Sequence, residues 1–318
     1  VHGEILAAQG FKPLTIWKQE RYQWLPLLAT PEKQSTPQLQ ISMMGNQFRS
    51  DALLLTNASG KSQIATLHLK SAPRGAQNGW LKVASVAWTD TAQGIPVADA
   101  LLPVEAKNNS YDIDIPAGMT RKIWLTVDSS KLPAGAYKST FDIVAGSQKM
   151  SVPFSVNVAA ITMKKPRMSL SVWDYTNTSY AGLTPQNRAS ALALMRSHYV
   201  DTTWATGAAL PRPEAVDFDA NNNLKTKPDF TNFDQWVALW PDARHYFVYP
   251  AVGDTFAGTK MGTPEFNARV GSWVKVLSAH MKDLGKKPQQ LGLLLVDEPH
   301  TDAQDAIIAA WAKAINAA

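Results

Sequence analysis

The sequence predicts a multi-domain β and α/β chain: an antiparallel β-sandwich over 38–162, then the first half of a (β/α)8, TIM-like barrel over 163–318. Three observations predict it. The first half carries short runs in which apolar residues alternate with polar or small ones. After Met163-Lys164-Lys165-Pro166 the pattern changes to apolar runs separated by stretches of helical period. The length, 318 residues, is what two domains of ~100–200 residues require.

In the first half, Val152, Phe154, Val156 and Val158 alternate, as do Ile123, Leu125 and Val127, and Phe141 with Ile143. Such alternation marks a strand with one buried and one wet face. Turn residues separate the runs: Asn57-Ala58-Ser59-Gly60, Pro116-Ala117-Gly118 and Leu132-Pro133-Ala134-Gly135. Residues 1–37 read as an N-terminal segment and linker, closed by Pro31 and Pro37, with Trp17, Tyr22 and Trp24 expected to pack on something.

Four βα units are expected in the second half. Met168–Trp173 is the first strand, and Thr184-Pro185 starts a helix carrying Leu192, Met195 and Tyr199. Val200–Ala205 is the second strand, followed by a short helix at Phe233–Trp240. His245–Val252 is the third, and Thr263-Pro264 caps a helix whose Phe266, Val270, Trp273, Leu277 and Met281 keep a 3.6 period. Leu291–Val296 is the fourth, apolar throughout as a strand buried on both faces is. Thr301 with Gln304 makes a capping box for a last helix bearing Ile307, Ile308, Trp311 and Ile315. A full barrel takes ~250 residues, and only about 155 follow residue 162. The expectation is a half barrel whose remaining wall comes from a missing C-terminal half or a second chain.

Composition narrows the function. With 45% apolar and 18% charged residues the chain can bury a core. Cysteine is absent, which excludes thiol nucleophiles, disulfides and Cys-held metals. No apolar run reaches the ~18 residues of a membrane span. The net charge of +5 is scattered, without the basic stripe that nucleic acid needs. HExxH, GxSxG, a phosphate loop and a Gly-rich dinucleotide turn are all missing, so neither a cofactor nor a metal is expected. Asp217, Asp219 and Asn221 begin like a calcium loop, but Asn222 and Pro228 stand where Gly and Glu are required. The start at Val1-His2-Gly3 and the lack of Cys favour an exported protein, secreted or in a bacterial periplasm.

Chemistry is expected at Asp297-Glu298-Pro299-His300, directly after the fourth strand, because catalytic groups in parallel βα folds collect at the carboxyl ends of strands. Neighbouring carboxylates repel each other, which favours a proton on one of them and suits a general acid beside a stabilising anion. The bland alternative is an acidic start to the last helix. Trp173, Asp174, Trp204 and Tyr249 fall at the other strand ends, where Asp174 could hold a sugar hydroxyl and the rings could stack on sugar faces. His300 could orient a carboxylate or touch substrate.

These residues carry a resemblance. A sandwich followed by βα units, with Leu-Leu-Leu-Val-Asp-Glu-Pro-His at 293–300 and Val216-Asp217-Phe218-Asp219 through Phe233-Asp234, resembles glycoside hydrolase family 123, which includes β-N-acetylgalactosaminidases. The resemblance implies substrate-assisted retaining hydrolysis: Glu298 as general acid/base, Asp297 on the acetamido N–H, no cofactor, and a glycan or glycoconjugate as substrate. Successive strand residues point to opposite faces, so both reach one substrate only if the chain has left its strand at Asp297. Two other readings stay open: a retaining two-carboxylate barrel glycosidase, and a non-enzymatic carbohydrate-binding or assembly module.

Overall fold

The computed structural model describes residues 1–32 and 37–318, which form two compact units, Val1–Lys164 and Lys165–Ala318. The first opens with helix α1 (His2–Ala8). Ten strands follow: β1 (Leu14–Trp17), β2 (Leu39–Gly45), β3 (Phe48–Asn57), β4 (Gln63–Leu69), β5 (Leu81–Asp90), β6 (Pro96–Val104), β7 (Ser110–Ile115), β8 (Thr120–Asp128), β9 (Gly135–Ala145) and β10 (Gln148–Thr162). They build two five-stranded sheets, ordered β1-β3-β8-β5-β6 and β2-β10-β9-β4-β7.

The alternating runs all turn their apolar side inward. Ile123, Leu125 and Val127 of one sheet meet Phe141, Ile143, Val152, Phe154, Val156 and Val158 of the other in one core, each burial contributing roughly 1.5–3 kcal/mol. Two features depart from the sequence reading. The sandwich is not wholly antiparallel, because β10 runs parallel to β2, with Phe154 opposite Leu39; these strands lie far apart in the chain, so no hairpin constrains their direction. The sandwich also starts before residue 38: β1 pairs with β3, Leu14 opposite Asn57, although four residues are too few to show a period. Trp17 is buried there, its indole N–H donating to Thr56 Oγ1 at 2.8 Å.

The second unit holds β11 (Leu170–Ser171), α2 (Arg188–Ser197), β12 (Val200–Thr206), α3 (Thr231–Leu239), β13 (His245–Tyr249), β14 (Thr255–Phe256), β15 (Thr259–Lys260), α4 (Pro264–Asp283), β16 (Leu291–Leu293) and α5 (Asp302–Asn316). Strands β11, β12, β13 and β16 form a parallel sheet in chain order, without the reversal that marks a doubly wound fold. One face carries Ala205, Tyr246 and Val248, fully buried in a core with Phe233, Trp236, Phe266, Val270, Leu277 and Met281 from α3 and α4. On the other face Trp204, Phe247 and Gly292 stand in one register row and are half-buried. The rings of Trp204 and Phe247 stack at 5.0 Å. Gly292 lets Phe247 lie flat on β16, since a Cβ there would stand 2.5 Å from a ring carbon.

Helix caps follow the sequence closely. Thr263 accepts from the Phe266 N–H at 3.2 Å, and Thr301 from the Gln304 N–H at 3.3 Å, while Gln304 Oε1 accepts from the His300 N–H at 2.7 Å. Helix α2 begins at Arg188, three residues after Pro185, because Thr184 first closes a turn with Asn187. The outer strands are shorter than expected. The first is Leu170–Ser171, with Met168 82% exposed. The fourth is Leu291–Leu293 and only half-buried. An edge strand has a neighbour on one side only, so apolar composition does not bury it on both faces.

Candidate active site

The fourth strand ends at Leu293 and the backbone bends through 296–298. Asp297 and Glu298 therefore sit in a loop, free of the strand's alternation. Asp297 is half-buried and Glu298 exposed. Glu298 holds φ 44°, a left-handed conformation that costs a non-glycine residue about 1–2 kcal/mol. Two more strand ends repeat this: Tyr175 after β11 has φ 39°, and Ala251 after β13 has φ 49°.

Electrostatics brings the first, third and fourth strand ends together. The Tyr175 phenol is pushed above its ordinary range, by burial first, then by the charge of Asp297, then by Tyr180, Tyr249 and Asp174. Asp297, Tyr249 and Tyr175 thus share one neighbourhood, with Tyr180 edge-on to Tyr175 at 5.3 Å. Tyr175 and Tyr180 are the site residues missing from the sequence-based set. Tyr175 is visible beside Trp173-Asp174 after the first strand. Tyr180 has no sequence signal, since only the fold of the 174–182 loop brings it near.

The other expected residues divide. Trp173 is 56% exposed and meets Trp204 edge-on at 6.1 Å. Trp204 is not at a strand end, for β12 runs on to Thr206; its ring lies one row deeper, between Trp173 and Phe247, with its N–H on Ser171 Oγ at 2.5 Å. Tyr249 ends β13 and is half-buried. His300 is exposed, and its backbone N–H helps cap α5.

Asp174 faces inward. It is 7% exposed. Its Oδ1 accepts from the Trp204 N–H at 2.8 Å, and its Oδ2 accepts from the hydroxyls of Thr203 and Thr176, each at 2.8 Å. These bonds tie the loop after β11, which carries Trp173 and Tyr175, to β12. Its pKa is raised, because burial outweighs the hydrogen bonds that favour the anion. The folded chain therefore holds this proton more tightly than the unfolded chain. The group contributes stability below the unfolded value of 3.8 and loses it as pH rises through the folded pKa, the reverse of a salt-bridged carboxylate. The stability of Asp174→Asn relative to the parent should accordingly rise with pH just above 3.8. Urea unfolding of both proteins from pH 3.5 to 7 measures this, and a relative stability that falls over that window contradicts it.

Among the described residues no group of three or more His, Asp or Glu is arranged to hold a metal. Asp219 Oδ1 instead accepts from the N–H groups of Asn221 and Asn223 at 2.8 and 2.9 Å, closing a turn. Beside the strand ends, a cavity of about 210 Å³ is bounded by Arg212, Pro250, Val252, Phe256, Trp273 and Trp311. No helix is long and apolar enough to cross a membrane among the described residues.

No family model matches this sequence, and no curated protein matches it significantly. Solved structures do. A family 123 glycoside hydrolase from Clostridium perfringens aligns over 94% of this chain and 61% of its own, with a TM-score of 0.62 at 11% identity. The major subunit of Myf fimbriae from Yersinia enterocolitica covers 39% of this chain and 94% of its own at 14% identity, but its TM-score of 0.25 carries no weight. This chain therefore spans about three fifths of the hydrolase it is similar to, and what the two share is the fold: a β-sandwich unit followed by a parallel βα unit.

Proposed function

We propose that this chain carries the acid and acetamide-binding carboxylates of a glycoside hydrolase acting on N-acetylhexosaminides, N-acetylgalactosaminides foremost. The observation that carries the reading is the Asp297–Glu298 pair in a bent loop at the carboxyl end of the fourth parallel strand, with Asp297 beside the tyrosines of the first and third strand ends. Glu298, exposed in the loop beyond the strand, protonates the glycosidic oxygen. The substrate's own acetamido oxygen attacks C1 as the leaving group departs, and Asp297 holds the acetamido N–H and balances the oxazolinium charge. Glu298 then takes a proton from water as that water attacks C1, which restores the acetamide and retains configuration. Trp173, Tyr249 and Tyr175 supply ring faces and hydroxyls around the sugar.

In this reading the four-stranded sheet is half of a (β/α)8 barrel, and further strands, from more of the chain or from a second chain, close it. The half-buried row Trp204-Phe247-Gly292 and the unpaired edges of β11 and β16 support that.

The test compares 4-nitrophenyl N-acetyl-β-hexosaminides with the matching β-hexosides, which carry a 2-hydroxyl in place of the acetamide. Substrate assistance predicts turnover of the first set and loss of at least about 10³-fold on the second, because the internal nucleophile is gone. Equal rates would support a protein carboxylate as nucleophile. No turnover of either, with the barrel complete, would favour a binding module.

A further inference from the structure

Among the described residues the exposed Trp, Tyr and Phe side chains are four, and they form two pairs. Trp173 and Tyr180 lie at the candidate site; Tyr22, 73% exposed, and Trp24, 56% exposed, lie in the sandwich unit. The second pair sits on a turn that is tightly held. The Gln23 N–H donates to Glu20 O at 3.0 Å, closing it. Glu20 Oε2 accepts from the Tyr22 N–H at 2.7 Å, and Gln19 Nε2 donates to Gln23 O at 3.1 Å. From the sheet below, Lys122 of β8 donates its ammonium to the carbonyls of Arg21 and Gln23, at 3.1 and 3.0 Å, one on each side of Tyr22.

Lys122 is only 5% exposed. Burial lowers its pKa, with the Glu20 charge opposing, so fixing this turn costs desolvation of a cation. The ring of Tyr22 is further braced, 5.7 Å from Trp124 of the same strand and 5.0 Å from the Arg21 guanidinium. Beyond the pair, Leu25 and Ala29 are buried with Trp17 and Leu54 in a small core that anchors the segment. A buried ammonium and three hydrogen bonds from amide N–H groups therefore fix the turn that carries both aromatics, with a ring contact at Tyr22, and both side chains stay out in water, where apolar burial alone would draw them in.

We propose that Tyr22 and Trp24 form an accessory glycan-binding platform, on which a sugar chain stacks its pyranose faces, held in place by the Lys122-clamped turn. A pyranose presents a flat face of C–H groups and a rim of hydroxyls. It needs an aromatic face that is rigid before binding and polar groups at its edge. The turn supplies both, with Gln19, Glu20, Arg21 and Gln23 beside the rings. One Arg next to one Glu is not the cationic groove that nucleic acid needs. The proposal does not depend on the role of Glu298.

Native affinity electrophoresis tests it, with mucin, glycol chitin and hydroxyethylcellulose as separate probes in the gel and a probe-free gel as reference. The expected result is retardation by at least one probe, weakened about tenfold or more in the Tyr22→Ala/Trp24→Ala double variant. Both side chains are exposed, so the double variant folds. Lys122→Met keeps both rings but frees the turn, and should weaken binding severalfold; Val216→Ala, at an exposed apolar residue of the second unit with no assigned role, should bind like the parent. Absence of retardation by all three probes overturns the proposal and leaves the pair to a protein partner. Retardation unchanged in the double variant, or lost in Trp173→Ala instead, overturns it by moving the glycan to the candidate site.

Discussion

Replacing Glu298 with Gln should cut turnover of an N-acetylhexosaminide by about 10²–10⁴-fold while leaving the fold unchanged, because this is the range general acid–base catalysis contributes. Gln has the same shape and keeps the left-handed backbone at this position. Glu298 is exposed, so the unfolding free energies of parent and variant should agree within ~0.5 kcal/mol. The loss should also depend on the leaving group. A 4-nitrophenolate departs without much help from an acid, whereas a sugar alkoxide must be protonated as it leaves. The variant should therefore lose more on a disaccharide than on a nitrophenyl glycoside, through kcat and kcat/KM together. Unchanged kcat on both substrates, measured with the barrel complete, would remove Glu298 from the mechanism.

The largest stability effect is expected at Trp311 of α5. It is 2% exposed and contacts Phe256 at 5.3 Å, Phe266 at 5.4 Å and Trp273 at 6.3 Å. Its indole N–H donates to Gly253 O at 2.8 Å, in the loop that follows β13. Trp311→Ala removes a filled volume from the second unit's core and leaves that carbonyl without its donor. The expected cost is roughly 3–5 kcal/mol, about 10²–10⁴-fold in the protection of the α4 and α5 amides. Hydrogen exchange resolved by segment reads this directly. Because Phe256 and Gly253 belong to the loop bearing the strained Ala251, residues 250–257 should also lose protection, and core amides of β8, β9 and β10 should not. Loss spread equally through those sandwich strands would show that the two cores are energetically coupled.

The parts of this protein legible in its sequence are those governed by local rules. Alternation in Val152–Val158 and Ile123–Val127 needs no tertiary information, since a strand with one wet face must alternate. The Thr263 and Thr301 caps satisfy N–H groups within three residues of themselves, and α4 declares itself by twenty residues of 3.6 period. The change of pattern after residue 162 reports a change from two packed sheets to helices covering a parallel sheet. What the sequence left open depends on long-range partners. β1 is a strand because β3 offers it an edge, and β10 runs parallel to β2 because the packing of two sheets sets their directions. Met168–Trp173 and Leu291–Val296 have strand composition, but each has a neighbour on one side only, so only Leu170–Ser171 and Leu291–Leu293 are strand. At the candidate site, strand ends could be read from the chain. That Asp297 lies beside Tyr175 and Tyr249 could not, because the three are joined only by sheet order and by positive φ at Tyr175, Ala251 and Glu298. Asp174 shows the same division. Its place after the first strand could be read from the sequence, and only the tertiary structure shows that Thr176, Thr203 and the Trp204 N–H hydrogen-bond to its carboxylate. Sequence specifies which groups are present and how each segment prefers to fold; which groups meet is decided by packing between segments distant in the chain.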